Sequence, residues 1–251
     1  GLSVEGALAV TRTRSVYERV RSADTSDTVC VPAKLVHGHL RNLAKKGVDR
    51  IVMPWSTTVP SGNTVDTSQS MCAVVKGYPF VIRNSDNPEE RWNIPFDTPL
   101  FHWYTAKDRE KQMTEYMEQT FRIPADETRR ALEEGDRAMR SFHEQLKQAG
   151  KEVMDRVKAE GSFAVVLASR PYQNDALVNH DLPEMFVSQG IPVVTVDSLP
   201  DLEDVDLSKS TVEIVNNFHA RMLAGAIYAA GHKELEYVQI VSFGCGHDAY
   251  L

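Results

Sequence analysis

The sequence predicts an α/β protein of two lobes with parallel sheets, joined by a long, charged helical segment. Three observations carry this. Short apolar runs alternate with helical patterns over residues 1–104 and again over 161–251, the rhythm of βαβ units. Between them, 105–160 is helical in pattern and holds 12 basic and 13 acidic residues. With 251 residues, 42% hydrophobic and 25% charged, the chain has a globular balance and enough length for two cores.

In the first zone, 7–10 reads as a short strand and 15–21 as a short helix. Residues 32–46 read as a helix: Pro32 suits its first turn, Lys45 and Lys46 its last, and Gly47 stops it. A buried strand at 50–53 and a further strand at 98–103 follow. In the second zone Pro124 opens a long helix. Its apolar positions Leu132, Met139, Phe142, Leu146, Ala149, Val153 and Val157 form one helical stripe, and its charges form a solvated face. The third zone repeats the βα pattern. Strands are expected at 163–168, 192–196 and 236–242. Helices are expected at 181–189, ended by Gly190, and at 211–230, ended by Gly231. The acidic run Asp197, Asp201, Glu203, Asp204 and Asp206 reads as an exposed loop. The first lobe reads as lacking its first strand and the last as truncated, the expectation for a domain cut from a longer polypeptide.

Composition excludes several functions. A net charge of -7, from 28 basic and 35 acidic residues, argues against a general nucleic-acid binder. No apolar run reaches the ~18 residues of a membrane span, and residues 1–10 lack the pattern of a secretory signal. No dinucleotide fingerprint, phosphate-binding loop or nucleophile elbow is present.

Three cysteines, Cys30, Cys72 and Cys245, are sparse and odd in number, which fits a reducing compartment. They lie 42 and 173 positions apart, so only the fold could gather them. Cys30 stands two residues before Pro32, at the mouth of a helix, where N–H groups and the helix dipole favour a thiolate. Cys245 follows a strand in Gly244-Cys245-Gly246, a tight turn that permits close approach of a bulky group. Cys72 has two readings: the wrong end of a strand over 73–76, or a helix start like that of Cys30. Against any one cysteine stands the plain reading of a buried small hydrophobe.

His37 and His39 are two apart on a helix and do not share a face. Arg170 follows a strand and suits an anion, or lies on the surface. Asp181 or Asn179 would cap the next helix.

Four segments resemble a known family: Cys30-Val-Pro-Ala-Lys-Leu-Val-His-Gly-His39, Met71-Cys-Ala-Val-Val-Lys-Gly-Tyr-Pro79, Ser169-Arg-Pro-Tyr172 with Asn179-His180, and Ser242-Phe-Gly-Cys-Gly246. They are similar to the uncharacterised domain that follows the ATPase modules of large bacterial CoA-substrate-specific enzyme activases. That domain is related to subunits of 2-hydroxyacyl-CoA dehydratases and benzoyl-CoA reductases. The resemblance implies two Rossmann-like lobes and a 4Fe–4S cluster held by Cys30, Cys72 and Cys245, a cluster that aerobic preparation can strip. Three thiolates leave one iron open, whereas such clusters usually take four. It further implies ATPase activator modules as partners, on the same polypeptide or another, CoA thioesters as substrates or electron destinations, and a cytoplasmic location in an anaerobe. His37 and His39 would stand near the cluster, and Arg170, Tyr172 and His180 would contact substrate or partner. Trp55, Ala73, Ser169 and Gln173 depart from the family pattern.

Two other classes of function remain open: a non-catalytic domain that docks the ATPase modules, its cysteines holding zinc or nothing, and a small-molecule binder using a cleft between lobes.

Overall fold

The computed structural model describes residues 29–59, 69–208, 210–211, 214, 216–242 and 244–248. The expected strand at 7–10 and short helix at 15–21 lie outside the described residues. The fold is α/β, with parallel pairing in its sheets. The chain forms two compact units. Of the described residues, one unit holds 29–57, 71–101 and 241–248; the other holds 58–59, 69–70 and 102–240.

The first unit opens with helix α1, Val31–Lys46. Pro32 sits in its first turn, Lys45 and Lys46 in its last, and Gly47 closes it at φ 70, donating its N–H to Ala44 O. Strand β1, Ile51–Val52, is shorter than expected and only half-buried in pattern, with Ile51 inside and Val52 outside. After β2, Trp55–Thr58, the chain enters α2, Ala73–Ser85, and α3, Pro88–Trp92. Then come β3, Phe96–Asp97, and β4, Leu100–His102. β1 pairs in parallel with β3, Ile51 opposite Phe96, and β2 pairs with β4. Ala33, Leu40, Ile51, Tyr78, Ile82, Ile94 and Phe96 form the core, with Cys30 packed at its margin.

The second unit begins with α4, Ala106–Phe121, whose start is fixed by a reciprocal cap between Thr105 and Asp108. Helix α5, Ala125–Glu160, follows Pro124 and ends at Gly161, φ 64. Arg109–Asp136 and Arg129–Glu110 ion pairs tie α4 to α5. Of the expected apolar stripe Val157 is buried, beside Met154, which lies outside that stripe and is buried too; Leu132, Leu146 and Val153 are half-buried, while Met139 and Phe142 are 53% and 56% exposed. The reason is length. A helix of 36 residues runs about 54 Å, far beyond the strands it covers.

Strand β5, Ala164–Ala168, is buried at every position and lies between β6, Val193–Thr195, and β7, Leu235–Gln239. Both neighbours run parallel to it, with Val166 opposite Val194 and Tyr237. Paired along both edges and buried at every position, β5 reads as a continuous apolar run. The helix expected over 181–189 is α7, Leu182–Ser188, and a short helix that the pattern did not announce, α6, Ala176–Asn179, precedes it. His180 and Asp181 break them apart at φ 55 and 59. Asp175, not Asn179 or Asp181, supplies a side-chain cap here, accepting from Leu177 N–H. Helix α8, Asn217–Ala230, starts later than position 211 because the Asn216 side chain accepts from Phe218 and His219 N–H and sets the boundary. No helix of the described residues is long and apolar enough to cross a membrane.

Candidate metal centre and its buried support

All three cysteines fall in the first unit, and none is in a disulfide. Cys30 is the N-cap of α1 and Cys72 the N-cap of α2, which decides between the two readings of Cys72. Their carbonyls start the helices: Ala33 N–H donates to Cys30 O at 3.1 Å and Lys76 N–H to Cys72 O at 3.0 Å. Neither side chain makes a cap bond, and neither helix has an acidic residue in its first turn. Each thiol therefore stands at the positive end of a helix dipole, with no first-turn carboxylate to compete for it.

Cys245 reaches the same neighbourhood through its turn. Cys245 N–H donates to Ser242 O at 2.9 Å. Gly244 lies so close to Cys30 that a Cβ there would stand 3.2 Å from Cys30 Cα and 3.4 Å from Cys30 N. Only glycine accommodates that approach without displacement. The cysteines are each half-buried. As a donor set they suit an iron–sulfur cluster, being soft thiolate ligands in one unit. They are not drawn together as a ready site: among the described residues, no three His, Cys, Asp or Glu side chains are grouped to hold a metal ion.

His37 is 4% exposed and fully engaged by protein. Its Nδ1 lies 2.9 Å from Asp86 Oδ2 and its Nε2 3.0 Å from the Tyr78 hydroxyl. A carboxylate only accepts, so Nδ1–H donates to Asp86, and in the neutral ring Nε2 accepts from Tyr78 O–H. Arg91 Nε sits 2.7 Å from the other Asp86 oxygen. Burial pushes the Tyr78 phenol up from its ordinary range, and the charges of Cys30 and Asp86 add to this. Both ring nitrogens of His37 are thus taken, by Asp86 and Tyr78. His39 is different. Its Nδ1 is buried without a hydrogen-bond partner, and burial pushes its pKa down, which favours the uncharged ring.

Arg170, Tyr172 and His180 belong to the other unit. Arg170 is buried, its Nη2 3.0 Å from His219 Nε2 and its guanidinium over the Phe218 ring. Tyr172 lies half-buried in the short turn Pro171–Asn174, and His180 is exposed. Nearby, a cavity of about 410 Å³ is lined by Lys147, Pro171, Asp197, Glu203, Phe218 and Arg221. Two members of the acidic run are ion-paired there, Asp197 with Arg221 and Glu203 with Lys147, so that run is not wholly a solvated loop. The Lys147 bond holds the Glu203 carboxyl below its usual range.

Sequence reasoning missed Asp86 and the role of Tyr78. They lie 49 and 41 positions from His37, and no local pattern announces either contact.

An α/β chain with cysteines on two helix starts is the class of protein defined so far. Residues 2–199 match the family model described as the CoA enzyme activase uncharacterised domain, and the chain belongs to that family. The Cys245 turn lies beyond the matched residues, so its placement rests on Gly244 and Cys30. No curated protein matches the chain, and no solved structure matches it.

Proposed function

We propose that this domain is the iron–sulfur component of an ATP-driven, low-potential electron-transfer system related to 2-hydroxyacyl-CoA dehydratases. It works in the cytoplasm, with ATPase activator modules as its partners, and acts on CoA thioesters or relays electrons toward them. Cys30, Cys72 and Cys245 hold a 4Fe–4S cluster. The observation that carries this reading is that Cys30 and Cys72 both open helices of one unit with their side chains left out of capping. The Gly244 contact brings the third cysteine's turn against the first. When bound, the cluster supplies one-electron chemistry and, with three thiolates, an open iron for a substrate oxygen. The chain's own part is to place the thiols, to keep carboxylates away from them and to shield one side with the core that holds Tyr78.

The test is anaerobic iron–sulfide reconstitution with an iron count and a visible spectrum. Wild type is compared with Cys30→Ala, Cys72→Ala and Cys245→Ala. About four irons per chain, lost in each variant, supports the reading. A colourless wild type sinks it for this chain.

A second reading, a non-catalytic docking domain, is favoured by one observation: no three potential ligands are grouped among the described residues. It predicts that the three alanine variants bind the ATPase modules as wild type does.

A further inference from the structure

His37 touches α2 twice. Its two ring nitrogens reach Tyr78, in the middle of α2, and Asp86, the residue that caps its carboxyl end. Tyr78, His37 and Asp86 are 7%, 4% and 3% exposed, so these bonds form away from water, where polar groups left unpaired are costly. Arg91, just beyond on α3, holds the far side of Asp86. The His37 and Tyr78 rings meet edge to face, centroids 5.8 Å apart at 89°. One side chain of α1 is therefore bolted to α2 in two places, and slippage or rotation of either helix would break both bonds.

The bolt stands at nearly the same depth below both cysteines. His37 follows Cys30 by seven positions and Tyr78 follows Cys72 by six. At 1.5 Å per residue these are arms of about 10 Å and about 9 Å. An ordinary helix pair would be held by apolar packing alone, which tolerates small shifts. Here apolar neighbours Ala33, Leu40 and Ile82 already supply the packing, and the polar bolt adds a fixed register.

We propose that the Tyr78–His37–Asp86 crosslink sets the separation of the Cys30 and Cys72 thiols, making His37 a positioning residue of the two-thiol site rather than a ligand. For metal binding this rests on the reading proposed above; for the geometry of the two helix starts it does not. A rigid pair of thiols loses little freedom when a metal or cluster binds, so loss of the bolt lowers affinity without removing any ligand.

The test measures the separation directly. In a Cys245→Ser background, nitroxide labels on Cys30 and Cys72 report their distance by pulsed electron resonance. The parent gives one narrow distribution. His37→Leu, which keeps bulk and loses both bonds, broadens it at least twofold or shifts its centre. His37→Gln, whose amide can donate to Asp86 and accept from Tyr78, restores the narrow form. Tyr78→Phe removes one hydroxyl only and gives a partial broadening, and it serves if His37→Leu does not fold. Distributions unchanged in both His37→Leu and Tyr78→Phe overturn the proposal. A parallel titration with Co(II) alone, unlabelled and with Cys245 present, separates the two readings. Tenfold weaker binding in His37→Leu with recovery in His37→Gln supports both. No Co(II) binding by wild type, with the distance response intact, counts against the metal reading and leaves the positioning role standing. Wild-type Co(II) affinity in His37→Leu overturns the role for metal binding.

Discussion

Gly244 stands tight against the Cys30 backbone: a Cβ at 244 would meet Cys30 Cα at 3.2 Å and Cys30 N at 3.4 Å. The obstacle is backbone, which cannot swing aside as a flexible side chain would. Gly244→Ala is therefore expected to displace the turn by a few tenths of an ångström and to carry Cys245 with it. Overpacking of this kind costs about 1–3 kcal/mol. A urea melt should show that loss, and reconstitution should give less iron than wild type. Full iron loading at unchanged stability would mean that the turn is not held against Cys30 in solution.

Gly150 presents a harsher case. It lies on α5 where the helix crosses the turn at Val196–Ser198, and a Cβ there would fall 1.9 Å from Ser198 O. No rotamer relieves a clash between a Cβ and a carbonyl oxygen. Gly150→Ala should destabilise the second unit by about 3 kcal/mol, in the range of severe core lesions, although alanine is the better helix former. Thermal unfolding followed by circular dichroism checks this. A gain in stability, as helix propensity alone predicts, would contradict the contact.

How much of this was legible beforehand depends on the range of the interaction. The ends of α1 follow from Pro32, Lys45, Lys46 and Gly47, all local signals, and all stand where expected. Cys72 was ambiguous because Ala73-Val-Val-Lys76 suits a strand as well as a helix and offers no capping side chain. The start of α8 lies at Asn217 rather than 211 because the boundary is set by the Asn216 cap, a side-chain bond that apolar periodicity does not register. Asp86 was invisible: its partner His37 is 49 positions away, and a lone aspartate after a helix has many commoner explanations. Of the apolar stripe on α5 only Val157 is buried, and Met154 and Gly150, off that stripe, are buried with it, because a sequence does not show where the supporting sheet lies along a long helix.

Tyr237 offers a pH signature. Its hydroxyl donates to Met222 O at 3.0 Å, and burial, only partly offset by Arg221, pushes its phenol up from 10.0 to about 12. The folded state thus keeps its proton longer than the unfolded chain does. The stabilisation is complete below pH 10 and is lost as pH rises from 10 toward 12. Tyr237→Phe, lacking the hydrogen bond, should be less stable than wild type by about 1 kcal/mol at neutral pH. The gap should close across that alkaline window. Denaturant melts at a series of pH values measure it, and a gap that stays constant through the window would show that the phenol titrates normally.

Two positions of the α5 stripe should respond unequally to truncation. Val157 is 0% exposed and packs with Met154, Val166 and Leu235, whereas Phe142 is 56% exposed on the same helix. Removing two buried methyl groups in Val157→Ala costs the transfer energy of those groups and leaves a cavity, together about 2 kcal/mol. Phe142→Ser removes a larger side chain, yet from a position already in water, and should move stability by less than about 0.5 kcal/mol. Size alone would rank them the other way, so the pair discriminates burial from hydrophobicity. Paired urea melts decide it. A loss at Phe142 as large as that at Val157 would mean that this face of the helix is covered in solution, and sedimentation of the Phe142→Ser variant beside wild type would then show whether the cover is a second copy of the chain.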